Sequence, residues 1–354
     1  MKKRLYSILA ILLVAGLLLG ACTPKEPVAE PVVEQPVEQP VEKPVEEPAK
    51  TFKVGLVTDV GVVDDKNFNQ ATWEGVVAAQ EELGFEAKYI ETKDAKDYDA
   101  NIQLFVDEGF DVIVTVGFAL GEATINAAKA NPGVAFIGVD QFQGEEVPGV
   151  AGLIFDEALS GVLAGVLAAN LTESKTIAAV LGTDLVPPVV NYNRGYVGGA
   201  KWVDPEIDVI STYHPGGMDV AFTDPEWGAS TAKQAIEQGA DIVFAAAGNT
   251  GNGALIETAQ HEGLFCIGVD TDQWLTVPEA HKCLISSATK DITLSVVELI
   301  KLAYEGKFPA GNYVGGSSLA PFHDFESMVT DEIREKLKEA LEAYNAGKIE
   351  LPDK

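Results

Sequence analysis

Almost the same pattern of residue types occurs in two stretches far apart in the chain, Phe136-Ile137-Gly138-Val139-Asp140-Gln141 and Cys266-Ile267-Gly268-Val269-Asp270-Thr271. Each is an apolar run that ends in an aspartate. Such a run, bounded by a polar turn, is typical of a parallel strand that is covered on both faces of its sheet. The repeat therefore predicts two similar units, with one aspartate at the end of a strand in each.

Apolar runs and helical patterns alternate around both stretches. The first unit has predicted strands near 53–57, 87–90, 111–116 and 134–139, with helices near 70–83, 98–108 and 121–130. The second has predicted strands near 176–181, 208–212, 241–246 and 264–269, with helices near 189–203, 228–238 and 253–262. This alternation predicts an α/β fold of two doubly wound parallel-sheet lobes, with a cleft and a hinge between them.

A helix near 156–170 joins the two units, and the remaining segments near the end of the chain predict further crossings between them. We expect lobe 1 to contain residues 52–154 plus about 287–311. We expect lobe 2 to contain residues 155–286 plus about 312–354. Ligands of such sheets bind outside the carboxyl ends of the strands, which places the site in the cleft.

The beginning of the chain has the pattern of an export signal. A basic start and an apolar stretch from Leu5 to Leu18 precede Leu19-Gly20-Ala21-Cys22, which resembles the bacterial lipobox. The apolar stretch is short for a membrane span. The resemblance implies a signal peptide over 1–21, acylation of Cys22, and a protein held on the extracytoplasmic side of the cell membrane through its lipid anchor only. Frequent prolines and few large apolar residues predict a disordered, extended tether over 22–50.

The composition excludes several classes of function. The chain of 354 residues carries 25 Lys plus Arg against 54 Asp plus Glu, a formal net charge of -29 that repels nucleic acid. With four His and no close Cys/His spacing, we expect no metal and no cofactor. Cys266 and Cys283 are either free core thiols or one disulfide. No Gly-x-Ser-x-Gly elbow or other catalytic constellation is found, so we expect a binding protein and no enzyme.

The densest run of polar residues, Asp59 to Gln70, follows the first strand and opens the first helix. Asp64, Asp65 and Asn67 are interpreted as turn and helix-cap residues. Phe68 is an aromatic residue among polar loop residues at the ligand edge, and this position favours contact with a ligand.

This run is similar to the opening of the basic membrane protein (BMP) family, whose members are substrate-binding lipoproteins of ABC importers. Most characterised members of this PnrA-like family bind purine nucleosides. Further matching segments are Gly152–Thr172, Asn193–Lys201, Phe222–Pro225, Gly239–Phe244, Ala247–Gly253, Gly268–Gln273 and Ser286–Lys290. The resemblance implies a type I periplasmic-binding-protein-like clamshell, a purine nucleoside as the ligand, and ABC permease subunits as partners.

The resemblance also implies roles for single residues. The purine would lie between two aromatic rings, Phe68 and Phe222, because every base has a face on which a ring can stack. Family members read the base edge with first-lobe groups, which match Asp59, Asn69 and Asp140. They hold the ribose with second-lobe groups, which match the Gly248 backbone, Asp270 and Lys290. A carboxylate such as Asp270 accepts two hydroxyl protons and therefore suits a vicinal diol.

Two departures from the family pattern leave alternatives open. A run from His214 to Val220 is richer in glycine and proline than usual, and Trp227 stands where family members carry a small or charged residue. Trp227 is therefore an alternative to Phe222 as the second ring. A flavin, another vitamin or a sugar remains an alternative ligand. The same clamshell would also serve as a ligand sensor for a membrane kinase.

Overall fold

The computed structural model describes residues 51–353 and contains two six-stranded sheets, one at the centre of each lobe. The first sheet consists of β1 (Lys53–Val60), β2 (Glu86–Thr92), β3 (Val112–Val116), β4 (Ala135–Val139), β5 (Val150–Ile154) and β11 (Gly311–Val314). The second consists of β6 (Thr176–Leu181), β7 (Asp208–Tyr213), β8 (Ile242–Ala246), β9 (Phe265–Asp270), β10 (Leu284–Lys290) and β12 (Ser317–Leu319).

The two sheets have equivalent strand orders, β2-β1-β3-β4-β5-β11 and β7-β6-β8-β9-β10-β12. Neighbouring strands are parallel, except that β12 runs antiparallel to β10. The α/β fold class with two doubly wound lobes is therefore confirmed. In both sheets the strand order reverses beside the first strand of the lobe, and ligands of open α/β sheets bind at such switch points.

Helices cover both faces of each sheet. Those of lobe 1 are α1 (Phe68–Leu83), α2 (Tyr98–Asp107), α3 (Gly121–Ala130) and α9 (Ile292–Tyr304). Those of lobe 2 are α4 (Glu157–Leu171), α5 (Pro187–Val203), α6 (Pro225–Glu237), α7 (Gly248–Thr258), the single turn α8 (Gln273–Thr276) and α10 (Asp331–Asn345). Helix α9 packs against α1 and buries Val296 and Leu299 in the lobe 1 core, although it follows a lobe 2 strand in sequence.

The chain crosses between the lobes three times, after β5, after β10 and after β11. Residues 287–290 belong to β10 of lobe 2, and residues 312–314 belong to β11 of lobe 1, so the boundaries near 287 and 312 need correction. The crossing segments pack closely. A Cβ on Gly316 would overlap the Asp291 carboxylate, and a Cβ on Gly315 would overlap the Phe155 ring. A larger residue at either position would fit only if these side chains moved.

Helix α7 begins at Gly248, five residues before the predicted start near 253. Its glycines, which suggest a turn in the sequence, here allow close packing between helices. A Cβ on Gly253 would overlap the backbone of Pro225, and a Cβ on Gly228 in α6 would overlap the backbone of Thr250. The two helices therefore contact each other through their glycines. The glycine-rich run Gly248–Gly253 forms the first half of α7.

Cys266 and Cys283 form a disulfide in the core of lobe 2. The predicted signal peptide, the acylated Cys22 and the tether lie outside the described residues. Within residues 51–353, no helix combines the length and the apolar character that crossing a membrane requires.

Candidate functional site

A cavity of about 250 Å³ lies between the lobes at the carboxyl ends of the central strands. Both lobes contribute to its lining. The predicted ligand residues that line it are Asp59, Phe68, Asn69 and Asp140 from lobe 1 and Phe222, Gly248, Asp270 and Lys290 from lobe 2. Further aromatic rings in the lining are those of Tyr98, Phe118 and Tyr192.

Trp227 is the one predicted ligand residue that does not line the cavity, and that prediction is corrected. Asp224 caps α6 by accepting from the Trp227 N–H, which starts the helix with Trp227 in its first turn. The Trp227 ring then packs edge-on against His214, with ring centroids 4.5 Å apart, and against the core of lobe 2. Phe222 is thus the aromatic residue of this segment that reaches the cavity.

The aspartates that end the two similar stretches occupy equivalent places in the two lobes. Asp140 follows β4 with φ 59°, and Asp270 ends β9 with φ 62°. Both values lie in the left-handed region, which residues other than glycine seldom adopt and which is often found at functional sites. Both side chains are buried and face the cavity, so each lobe presents one carboxylate at the same point of its sheet.

Lys290, at the end of β10, lies at the centre of the polar contacts between the lobes. Its Nζ is 2.6 Å from Asp140 Oδ2 in lobe 1, 3.4 Å from Glu157 Oε1 and 3.7 Å from Asp270 Oδ1 in lobe 2. The ammonium also lies over the Phe68 ring, 5.2 Å from its centroid. Lys290 is therefore surrounded by carboxylates and ring faces, both of which favour a cation.

The ionisation of this cluster is set by burial and by the charges within it. Burial alone would lower the pKa of Lys290, but the carboxylates of Asp140, Glu157 and Asp270 outweigh it and hold that pKa above its ordinary value. Burial raises the pKa of Asp270 to about 6, although Lys290 opposes the shift. Burial also raises the pKa of Glu157. The site thus holds a charged lysine beside two carboxyls, Asp270 and Glu157, that bind protons more readily than usual.

A second polar region lies on the lobe 1 side. Burial raises the pKa of Asp59 to about 7, and the negative charges of Asp65 and Asp140 act in the same direction. Gly117, with φ 103°, leaves room for this carboxyl, since a Cβ there would lie 2.6 Å from Asp59 Oδ2. The Oδ1 atoms of Asn69 and Asp140 are buried without a hydrogen-bond partner. Buried polar atoms are rarely left unpaired, so these oxygens are positioned to accept hydrogen bonds from a ligand.

Asp65 has the capping role that the sequence indicates. Its carboxylate accepts from the backbone N–H groups of Asn67, Asn69 and Gln70, at 2.9, 2.9 and 3.1 Å. The loop before α1 is thereby fixed to the first turn of the helix. Because Phe68 and Asn69 stand in this turn, the cap also positions two residues of the cavity.

Sequence reasoning missed Glu157 and Tyr192. The Tyr192 hydroxyl lies 3.2 Å from both Asp270 Oδ1 and the Ala288 carbonyl oxygen. Glu157 is the one charged residue of the mostly apolar helix α4, and this isolated charge was the signal in the sequence that could have identified it as a site residue. Phe142, which follows Asp140 by two residues, is 70% exposed and does not line the cavity. Among residues 51–353, no group of three His, Cys, Asp or Glu side chains could hold a metal ion.

The raised pKa values predict that the ligand-free protein becomes more stable as the pH falls from about 8 to about 5. The pKa values of Asp59 and Asp270 are higher in the folded protein than the ordinary value of 3.8. The folded state therefore takes up protons in this range before the unfolded chain does, and proton uptake favours folding. The measurement is the melting temperature of the ligand-free protein against pH.

The net charge of -29 acts in the same direction, so the variant Asp59→Asn provides the comparison. This variant should be more stable than the unmodified protein at pH 8, by roughly 1–3 kcal/mol, and the difference should shrink at pH 5. A melting temperature for Asp59→Asn that lies below that of the parent at pH 8 would contradict the assignment.

Comparison with known proteins agrees with this geometry. Residues 52–315 match the model of the family described as ABC transporter substrate-binding protein PnrA-like. Over the full length of both proteins, the chain is 28% identical to the ABC transporter nucleoside-binding protein BmpA of Lactococcus lactis subsp. cremoris. It is 27% identical to an uncharacterized lipoprotein of Pyrococcus abyssi, over 84% of this chain and 79% of the relative.

Among solved structures, an ABC transporter solute-binding protein from Aeropyrum pernix K1 is similar in fold. The TM-score is 0.75 at 24% sequence identity, and the match covers 86% of this chain and 94% of the other. This likeness shows that the two proteins share their two-lobed architecture.

Proposed function

Because the chain belongs to the PnrA-like family of ABC transporter substrate-binding proteins, we propose that it binds a purine nucleoside between its lobes and delivers it to the permease of an importer. The observation that carries the proposal is the distribution of groups in the cavity. Aromatic rings come from both lobes, unpaired acceptor oxygens from lobe 1, and a lysine–carboxylate cluster from lobe 2. The name of the Lactococcus lactis relative supports the same ligand class.

The base is assigned to the lobe 1 side. The aromatic side chains of Phe68 and Phe222 offer ring faces to a planar base, and stacking of this kind contributes about 1–3 kcal/mol per base. The free Oδ1 atoms of Asn69 and Asp140 are acceptors and require N–H donors on the ligand. Guanine carries such donors, so guanosine is the probe of choice.

The ribose is assigned to Asp270 and Lys290. Asp270 Oδ1 lies within hydrogen-bond distance of Tyr192, and the rest of the carboxylate is available to accept from sugar hydroxyls. The Lys290 ammonium is a donor to sugar oxygens. A nucleoside is favoured over a nucleotide, because Asp59, Asp140 and Asp270 would repel a phosphate in a cavity with a single lysine among its described lining residues.

We also propose that the protein acts on the outer side of the cell membrane as a lipoprotein, anchored through Cys22. The lipobox-like sequence before Cys22 and the name of the Pyrococcus abyssi relative support this placement. The ligand is bound without chemical change and released to the permease.

A thermal-shift screen tests the proposed ligand. Guanosine, adenosine and inosine should raise the melting temperature, because a ligand that binds only the folded state stabilises it by mass action. Guanine and guanosine monophosphate at the same concentration should give a much smaller shift. A flavin or a sugar that shifts the protein when no nucleoside does would overturn the nucleoside proposal. Chromatography of the guanosine sample should show no released base, and free guanine would reveal an enzyme.

A further inference from the structure

Two hydrogen bonds join the lobes through lobe 2 side chains that do not line the ligand cavity. The side-chain amide of Asn252 in α7 donates to the carbonyl oxygen of Asp65 at 2.9 Å. The hydroxyl of Thr276 in α8 donates to the carbonyl oxygen of Lys66 at 2.7 Å. Both donors belong to lobe 2, and both acceptors are neighbouring peptide groups of the β1–α1 loop in lobe 1. Neither Asn252 nor Thr276 lines the cavity.

The orientation of the Asn252 amide is fixed from the lobe 2 side. Gln273 Oε1 accepts from the backbone N–H of Val269, so its Nε2 must point the other way and donates to Asn252 Oδ1 at 2.8 Å. Asn252 therefore presents its Nδ2 to the Asp65 carbonyl. Asn252 and Gln273 are 5% and 1% exposed, and this chain of bonds is shielded from water.

The acceptors are fixed equally well on the lobe 1 side. The Asp65 carboxylate caps the first turn of α1, which carries Phe68 and Asn69. Lys66 adopts a left-handed conformation with φ 64°, and this sharp turn sets the directions of the two neighbouring carbonyl groups. When these carbonyls meet lobe 2, the first turn of α1 is brought to its place over the cavity.

We propose that Asn252 and Thr276 form a latch that holds the two lobes closed without touching the ligand. The inference rests on the proposed function in one respect, namely that closure of the lobes retains the bound ligand. Because the latch makes no ligand contact, it stabilises the closed state equally for every ligand and also in the empty protein. Asn252 and Thr276 are thus positioning residues, and they act on affinity through the open–closed equilibrium.

The test measures the distance between the lobes in the full chain. Spin labels are attached at Lys129→Cys in α3 and Lys233→Cys in α6, two exposed positions on different lobes, and the distance distribution is recorded by pulsed electron spin resonance. The ligand-free parent should populate the shorter, closed distance. Thr276→Val with Asn252→Asp, which keeps the acceptor for Gln273 but removes the donor, should lower the closed-to-open ratio by on the order of tenfold or more.

Thr293→Val is the matched control. The Thr293 hydroxyl donates to the Ala71 carbonyl at 2.8 Å, so it also bonds to the backbone of α1, but within lobe 1. It should leave the distance distribution unchanged. Thr276→Val alone, as a near-isosteric change at a half-buried residue, should shift the ratio by several-fold in the direction of the double variant.

An identical ligand-free distribution for the parent and the double variant would overturn the latch, and so would a parent that is fully open when empty. Adding guanosine separates this inference from the proposed ligand. If guanosine closes the double variant, both proposals stand. If the double variant opens when empty but calorimetric titration of the parent shows no guanosine binding, the latch stands and the nucleoside proposal fails.

Discussion

Asp270→Ala should weaken guanosine binding by more than about 2 kcal/mol, or roughly thirtyfold in Kd. Asp270 is the buried carboxylate that ends β9, and its proposed role is to accept hydrogen bonds from the ribose diol. Removing it leaves two sugar hydroxyls without acceptors in an enclosed site. The measurement is calorimetric titration of the variant and the parent with guanosine.

Two further comparisons make the assignment specific. Asp204→Ala is the control, because the Asp204 carboxylate lies 2.8 Å from Lys175 Nζ at the surface of lobe 2, outside the cavity, and its loss should not affect Kd. Asp270→Asn should also weaken binding, and because Asn tolerates the left-handed φ of this position, misfolding would not explain the loss of affinity. The Asp270→Ala variant should also lose the preference of the parent for guanosine over 2′-deoxyguanosine. A change in Kd below threefold would contradict the role of Asp270.

Lys290→Met should lower the free energy of unfolding at pH 8 by about 3–5 kcal/mol and abolish measurable nucleoside binding. The change leaves the carboxylates of Asp140, Glu157 and Asp270 close together in a buried site with no cation between them. Like charges without compensation are costly in an environment with little water. Urea unfolding of the ligand-free protein provides the measurement.

The pH dependence distinguishes this explanation from a loss of packing. Without the ammonium, the pKa values of Asp270 and Glu157 rise further, so protonation should recover part of the lost stability between pH 8 and pH 5. Lys301→Met is the control, since the ion pair of Lys301 with Glu82 is partly exposed and should contribute less than about 1 kcal/mol. If Lys290→Met lowers the free energy of unfolding by the same amount at pH 8 and at pH 5, the cause is a packing defect and not the loss of the charge.

Much of this architecture follows from local sequence patterns. The apolar runs that end in Asp140 and Asp270 predict equivalent strands in two lobes, because a short apolar run between turn residues has the length of a buried strand and is shorter than most helices. Both aspartates do lie at the ligand edge. The helix predicted near 70–83 is also confirmed, and it ends before Gly84, which adopts the left-handed conformation common at helix ends.

The features that sequence reasoning missed depend on contacts between segments far apart in the chain. Glu157 and Lys290 meet only because α4 and β10 are neighbours in lobe 2, and Asn252 reaches Asp65 only when the lobes close. Trp227 shows the opposite error. Its ring type suits a base, but the capped start of α6 directs it into the core. The residue type alone does not show whether an aromatic side chain lines the cavity or packs against the core.

In the proposed complex one ligand bridges the two lobes, with its base at Asn69 and Asp140 and its sugar at Asp270 and Lys290. Calorimetric titration with guanosine, guanine and ribose, each alone, tests this bridging. We expect binding of one guanosine per chain, with guanine and ribose each at least about a hundredfold weaker, because each half makes only part of the contacts that hold the lobes together. Binding of guanine as tightly as guanosine, or no binding of guanosine at all, would contradict it.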